Sequence, residues 1–546
     1  MLRLSLASPA RQRALVLLLT LATLLPFLGK AFTIDDPVYI WQAQHIAQHP
    51  LDPYGALVNW YGGAQPLSEF DKNPPLAAYY LALAGTLLGW SEVALHAASL
   101  LPALICALGA YELARRTTKD ALFATCAAVL TPAFLVSATN VMCETWMLAF
   151  WLLAVVAWLE GFERGRLAWL FVAGLCVALA TLSKYPAVVL VPLFFAHGFA
   201  RERRFGTWTL ALVLPVAILA AYDVLTRGMY GQGLFASAVL YARTEREAAA
   251  QGGAAQVAVG LVFAGGSLLH AIFCAPILFR WTLAAASVVL VALLAPGLDL
   301  SLYVTKTAGL APNVPLAVRV QFVVFLLGGV AVLALALADL WKRRTPDAWL
   351  LALWVVGVFA FASVVNWTTN ARSLLPIAPA LACLIVRRLE GRGIGRARWL
   401  ALAPGAVLAI AVAAADAAWA NQVRGAAQLL VQRTASEPGK VYGGAHWGFQ
   451  YYVEQCGIPT FDVRRDRAET GDRLLYMKNN TNLAWPPGAS LAVIEELESE
   501  GPRLVHTVAP SIGAGFYASE LGPLPFVIGR AEPDLYYVVR AKANAR

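Results

Sequence analysis

Charge is what this sequence has least of. Only 14% of its 546 residues are Asp, Glu, Lys or Arg, while 59% are hydrophobic; soluble domains carry about a quarter charged residues. With a mean hydropathy of +0.62, the chain falls outside the soluble class and reads as a polytopic α-helical membrane protein. Neither a Walker A motif nor GxGxxG occurs, so nothing points to a nucleotide site. CxxC pairs are also absent, so neither a zinc site nor a disulfide framework is suggested. Six of the seven cysteines (Cys106, Cys126, Cys143, Cys176, Cys274 and Cys383) lie in apolar stretches, and only Cys456 lies in a clearly polar region. Tandem repeats and low-complexity segments are lacking as well.

What charge there is has an arrangement. The net +9 comes from Lys and Arg in short clusters between apolar runs, where they orient helices rather than bind nucleic acid. Thirteen runs of spanning length stretch from 13–31 to 398–419. The basic clusters Arg115/Arg116/Lys119, Arg164/Arg166, Arg201/Arg203/Arg204, Arg280, Lys342/Arg343/Arg344 and Arg387 through Arg398 fall on one side if each run crosses once. That parity requires the shorter run Leu76–Trp90 not to cross. Its length agrees, since about 15 residues rise only ~23 Å against a ~30 Å core, so an interfacial or re-entrant outer helix is expected there. The signal-like start has a long apolar run, and "LGKAFTIDD" is a poor cleavage site. It is read as a retained first helix with Arg3, Arg11 and Arg13 in the cytoplasm. The outer face then carries a first loop over 32–92, a second long loop over 227–257 and everything from about residue 420.

Residues 420–546 turn polar and read as a small soluble α/β domain on the outer side, distinct from a membrane domain over 1–419. "KVYGGA" and "LYYVVRA" predict strands. "NQVRGAAQLLVQRTA" and "HWGFQYYVEQCG" predict helices, the second closed by Gly457.

Isolated charges at outer helix ends are the candidate site. In "FTIDDPVYIW", Asp36 precedes Pro37 and is expected to cap the helix that follows. Asp35 has no such local partner, and a boundary carboxylate can be desolvated and tuned. Glu144, in "NVMCETWMLAF", sits at another outer helix start, where the helix dipole favours an acid; cap and site readings are balanced. Lys72, Lys184 and Arg372 are basic residues on the side where the positive-inside rule expects few. A binding role competes with snorkelling, evenly for Lys72 and ahead of it for the other two. Arg243 and Arg246 read as a solvated helix face in a loop able to cover a substrate. His45 and His49, spaced i, i+4, could share a metal, but no HExxH glutamate accompanies them. The aromatic-rich outer segments, with Tyr39 among them, fit an interfacial belt, and "HWGFQYY" fits the core of a small domain. Metal dependence is left open, with a divalent ion neither required nor excluded.

Acids beside isolated cations at headgroup depth suit sugar transfer from a lipid phosphate. Cations hold the phosphate and a carboxylate takes the acceptor's proton. The motifs "DDPVY", "NPPLAAYYLA", "VMCETWMLAF", "LATLSKYPA" and "NARSLLPIAPAL", in this order, resemble the GT-C glycosyltransferases, above all families 39 and 83. These include protein O-mannosyltransferases, aminoarabinose transferases and Rgt-like transferases. The resemblance covers most of the membrane region. It implies a GT-C fold of about 13 transmembrane helices with outer-face interfacial helices. The implied activity uses a polyprenyl-phosphate sugar donor and a cell-envelope glycolipid, polysaccharide or protein acceptor. It takes place on the periplasmic face of a bacterial inner membrane, with inversion. By the resemblance, Asp35 is the principal catalytic position, with Asp36 beside it and Glu144 a second outer acid. The resemblance also assigns Lys72, Lys184 and Arg372 to the donor, although the family's Lys abuts the Pro pair, where Asn73 stands here; Tyr39 and Arg243 are added as further candidates for substrate binding. A transporter or flippase for a lipid-linked sugar is the alternative, and it would favour charges at mid-membrane on broken helices.

Overall fold

Long apolar runs become long helices. The computed structural model describes residues 8–248, 252–279, 281–304, 309–390, 392 and 395–542; Arg3 and Arg280 lie outside the described residues. Seven helices are long and apolar enough to cross a bilayer: Pro9–Phe27, Glu92–Thr117, Glu144–Arg164, Thr207–Tyr230, Leu316–Arg343, Pro346–Val365 and Ala397–Thr434. Their outer flanks leave Leu18, Val213, Val224, Val407 and similar side chains exposed, which is stable only against lipid. The chain is a multi-pass membrane protein. Glu144–Arg164 is central, with most of its apolar stretch buried, whereas Pro9–Phe27 lies at the rim.

Among the described residues the spans number seven, or nine if each bent pair is one crossing, so the thirteen runs are not thirteen unbroken helices. Run 121–139 shows why. It folds as Ala121–Val129 and Pro132–Ala138, bent by 64°. Pro132 has no N–H to continue the ladder, and Thr131 goes extended and caps the second piece through Phe134 N–H at 3.2 Å. Run 258–279 likewise breaks after Ser267 into two short turns, His270–Phe273 and Ala275–Leu278. The helix Leu76–Leu88 ends at Gly89, whose φ is +93°; its 13 residues span only ~20 Å.

Charge separates to the two ends of the bundle. At one end the basic clusters pair with acids between helices. Arg13 meets Glu112 at 2.6 Å, Arg398 meets Asp120 at 2.6 Å, Arg387 meets Asp339 at 3.1 Å, and Arg116 bridges Glu160 and Glu163. The other end holds Asp35, Glu144, Lys184 and Arg372.

The helix Ala397–Thr434 runs unbroken through residue 420, so the boundary expected there falls inside one helix. Beyond it lies a four-stranded sheet in the order Val441–Gly443, Arg473–Met477, Asp534–Lys542, Ser490–Ser499, its first pair parallel and the others antiparallel. "KVYGGA" and "LYYVVRA" supply the first and third of these strands. The helix Trp447–Gln455, followed by Gly457 at φ +83°, buries its aromatic face against the bundle. A Cβ on Gly448 would stand 2.4 Å from the Phe32 carbonyl oxygen. The Tyr452 hydroxyl accepts the Phe32 N–H at 2.8 Å and donates to Glu92 at 2.9 Å.

Candidate active site

The loop that follows the helix Pro9–Phe27 turns sharply just before its two acids. Ile34 has φ +50°, a costly conformation for a β-branched residue. The helix Asp36–Gln48 starts there with Pro37 in its first turn. Asp36 does not cap it. The N-cap position is Asp35, with no side-chain cap bond, and the Asp36 carboxylate turns inward. Its two oxygens accept the N–H groups of Val141 and Thr33, each at 3.0 Å. The turn at Ile34 aims Asp36 back across the bundle, where it staples the loop to the segment before Glu144. Complete burial pushes its pKa up to about 7 despite those bonds.

Asp35 points the other way and stays open, with 38% of its side chain exposed. Its Oδ2 lies 3.2 Å from Arg372 Nη2. Arg372 begins the turn Arg372–Leu374 ahead of the helix Ile377–Leu389, and its Nη1 stands 3.4 Å from Glu144 Oε1. Glu144 opens its helix in a buried position and receives Lys184 Nζ at 2.6 Å. Lys184 closes the helix Leu167–Ser183 in an extended conformation. Three helix ends and one loop thus deliver two acids and two bases into one cluster, buried at Glu144 and Arg372 and open at Asp35. Removing one partner from such a cluster strands a buried charge, a loss of about 3–5 kcal/mol. Arg372 Nε is buried with no hydrogen-bond partner among the described residues. Beside the cluster the Tyr39 hydroxyl, buried, donates to Cys143 Sγ at 2.9 Å. An apolar crevice lined by Met147, Trp151, Val189, Val358 and Phe361 opens next to Lys184.

Other sequence-expected residues stand apart. Lys72 donates to the Glu69 carbonyl at 2.8 Å and to Ser237 at 3.2 Å, tying the first outer loop to the helix Leu234–Ala248. Arg243 is exposed and pairs with Glu247 at 2.9 Å. Arg246 is not the solvated residue expected: it donates to the carbonyls of Ser363, at 2.8 Å, and Asn366. The His45 and His49 rings lie 4.8 Å apart, tilted by 41°, with Asp52 3.7 Å from His45. Among the described residues no three His, Cys, Asp or Glu side chains are grouped to hold a metal.

Two features escaped the sequence reading. Asp71 is buried, with Oδ1 accepting Asn73 N–H at 2.9 Å and Oδ2 unpartnered among the described residues. Burial raises its pKa to about 6. Asn73 in turn lies 4.0 Å from the Cys143 sulfur, so Asp71 belongs to the wall of the site. The second feature is the pair Lys30–Asp416, 2.6 Å apart and wholly buried. Its signal was available: single charges of opposite sign, each at the outer end of an apolar run.

The architecture defines a class. The structure of ArnT from Cupriavidus metallidurans bound to undecaprenyl phosphate matches with a TM-score of 0.50 and 14% identity, covering 96% of each chain. This likeness shows the GT-C fold. The chain resembles glycosyltransferase families 39 and 83, and residues 72–226 match the family model described as dolichyl-phosphate-mannose-protein mannosyltransferase. The Archaeoglobus fulgidus oligosaccharyltransferase tethered to an acceptor peptide aligns at 14% identity and a TM-score of 0.48. It covers 82% of this chain, which spans 63% of the archaeal protein. Arabinosyltransferase EmbB from Mycobacterium smegmatis aligns at 18% identity and a TM-score of 0.34, over 92% of this chain and 48% of its own. No curated protein matches by sequence.

Proposed function

We propose that the chain is an inverting glycosyltransferase that takes its sugar from a polyprenyl-phosphate donor. It works at the periplasmic end of the bundle in a bacterial inner membrane, and its acceptor is an envelope glycolipid, polysaccharide or protein. One observation carries the reading: Asp35, an open carboxylate, is paired to Arg372, whose other nitrogen faces Glu144. ArnT, which shares the fold over its whole length, is bound to undecaprenyl phosphate, and the matching family is described by a dolichyl-phosphate sugar.

In this reading the donor's phosphate takes the guanidinium edge at Arg372 Nε and Nη2, with Lys184 adding positive charge behind it. The phosphate displaces Asp35 from Arg372 and leaves that carboxylate free to accept a proton. The acceptor's O–H proton passes to Asp35 as the oxygen attacks the anomeric carbon. The sugar–phosphate C–O bond breaks on the opposite face, and polyprenyl phosphate leaves with the electron pair, stabilised by the two cations. Attack opposite the leaving group inverts the anomeric centre.

Asp35→Asn in purified protein is expected to abolish transfer while undecaprenyl-phosphate binding persists; unchanged turnover would overturn the assignment. Mass spectrometry of envelope lipids and glycans from cells with and without the gene then identifies sugar and acceptor together.

A further inference from the structure

Arg372 is held from a third direction, by the C-terminal region. The segment 507–519 runs alongside the loop that carries it. Ala371 N–H donates to the Phe516 carbonyl at 3.0 Å, and Ser519 N–H donates to the Thr369 carbonyl at 2.8 Å. Between these two bonds Tyr517 lays its ring against the guanidinium, 5.1 Å from ring centre to Cζ. The ring is not free to turn away. Its hydroxyl donates to Asp416 Oδ2 at 2.8 Å and accepts from Asn140 Nδ2 at 3.1 Å. Asp416 is itself fixed by Lys30 at 2.6 Å and by Thr507 Oγ1 at 2.8 Å. Lys30 also donates to Asn140, the residue before Val141, whose N–H binds Asp36.

The two acid partners alone fix Arg372 poorly. Asp35 and Glu144 hold it through one nitrogen each, at 3.2 and 3.4 Å, and a guanidinium held at two points can still tip about the line joining them. A ring face beneath it removes that freedom and favours the cation electrostatically. The buried ionic network would be a poor investment for stability alone, since apolar residues would pack as well. It makes sense as a clamp on the phenol.

We propose that Tyr517 is a positioning residue of the reaction centre. It sets the plane of Arg372 toward the donor phosphate, and the Lys30–Asp416 pair holds Tyr517 in place. The C-terminal region therefore contributes directly to phosphate recognition. This rests on the reading that Arg372 binds the donor's phosphate.

The test is undecaprenyl-phosphate affinity of the full-length protein in detergent, with thermal unfolding of each variant to establish that it folds. Tyr517→Leu is expected to weaken binding about tenfold. Tyr517→Phe keeps the ring but loses its anchor on Asp416, so it should weaken binding measurably, by about threefold, and less than Tyr517→Leu does. The decisive measurement is the double variant: Tyr517→Leu in an Arg372→Ala background should cost nothing further, because the ring acts only through that guanidinium. Wild-type affinity in Tyr517→Leu, equal losses in Phe and Leu, or additive losses in the double variant would each overturn the proposal. If the wild type fails to bind undecaprenyl phosphate, the donor assignment itself is wrong. If Arg372→Ala binds normally, the role of Arg372 is wrong. Either result takes this proposal with it.

Discussion

At the scale of single residues, the structure brings four charges from separate parts of the sequence, Asp35, Glu144, Lys184 and Arg372, into one cluster. Asp35, Lys184 and Arg372 stood out in the sequence because no local role accounts for them, whereas Glu144, favoured by its helix dipole, was balanced between cap and site. Of the four, two are acids at outer helix starts, one of them without a local partner, and two are bases where bases are scarce. Asp36 was visible too, but its role was not. A dipeptide Asp–Pro predicts a cap, and only the left-handed turn at Ile34 reveals that the carboxylate faces the bundle instead. Asp71 was hidden for another reason: an acid beside a lysine in a polar loop looks solvated, and burial is a tertiary property. That burial has a measurable consequence. Its folded pKa is raised from 3.8 to about 6, so the folded protein binds the extra proton. Stability from this group is complete below the unfolded pKa and is lost as pH rises through about 6. Asp71→Asn removes the penalty while an amide still accepts the Asn73 N–H. Melting temperatures measured in detergent should match the wild type near pH 4 and exceed it by a few degrees at pH 8. A gap that is equal at both pH values would show that Asp71 is ionised and solvated throughout.

At the scale of elements, apolar length predicted where helices form but not where they break. Pro132 sits in a run that reads as one span, yet it ends one helix and starts the next, and this break turns the chain toward Asn140 and Glu144. The strands around Val441 and Asp534 were readable from local β-propensity, whereas Ser490–Ser499, rich in glutamate, offered little apolar alternation to find. The helix Trp447–Gln455, expected as the core of a small domain, does stack Phe449 on Tyr536 of the C-terminal sheet, and it also lies against the start of the first loop, a contact that Gly448 permits. Any side chain there would collide with the backbone of Phe32 and Thr33, just ahead of Ile34 and Asp35. Neither neighbour is a flexible side-chain tip, so the helix or the loop must move. Gly448→Ala is therefore expected to lower transfer at least tenfold. Its effect on global stability should be smaller, about 1–3 kcal/mol for an overpacked contact, read from thermal unfolding of the same sample. Full activity would mean that the first outer loop tolerates displacement and does not need this helix to hold Asp35.

At the scale of the whole molecule, the fold sorts its charges into two layers. One end knits Arg13, Arg116, Arg387 and Arg398 to acids on neighbouring helices. The other end gathers the site and carries the sheet of the C-terminal region. Positive-inside parity predicts that the first layer faces the cytoplasm and the second the outside, and the proposed chemistry depends on that prediction. The molecule supplies its own reporter. Cys106, Cys126, Cys143, Cys176, Cys274 and Cys383 are buried, and Cys456, just past the helix Trp447–Gln455, is exposed. Partial burial raises the Cys456 thiol above its usual pKa, so labelling belongs at pH 8 or above, where thiolate is available. A membrane-impermeant maleimide added to intact spheroplasts should modify the protein once, and Cys456→Ser should erase the signal. If the label enters only after the inner membrane is permeabilised, the sheet and Asp35 face the cytoplasm. The donor's phosphate would then have to be presented from the inner leaflet. Labelling without permeabilisation places the carboxylate and its arginine where an outward-facing lipid phosphate can reach them.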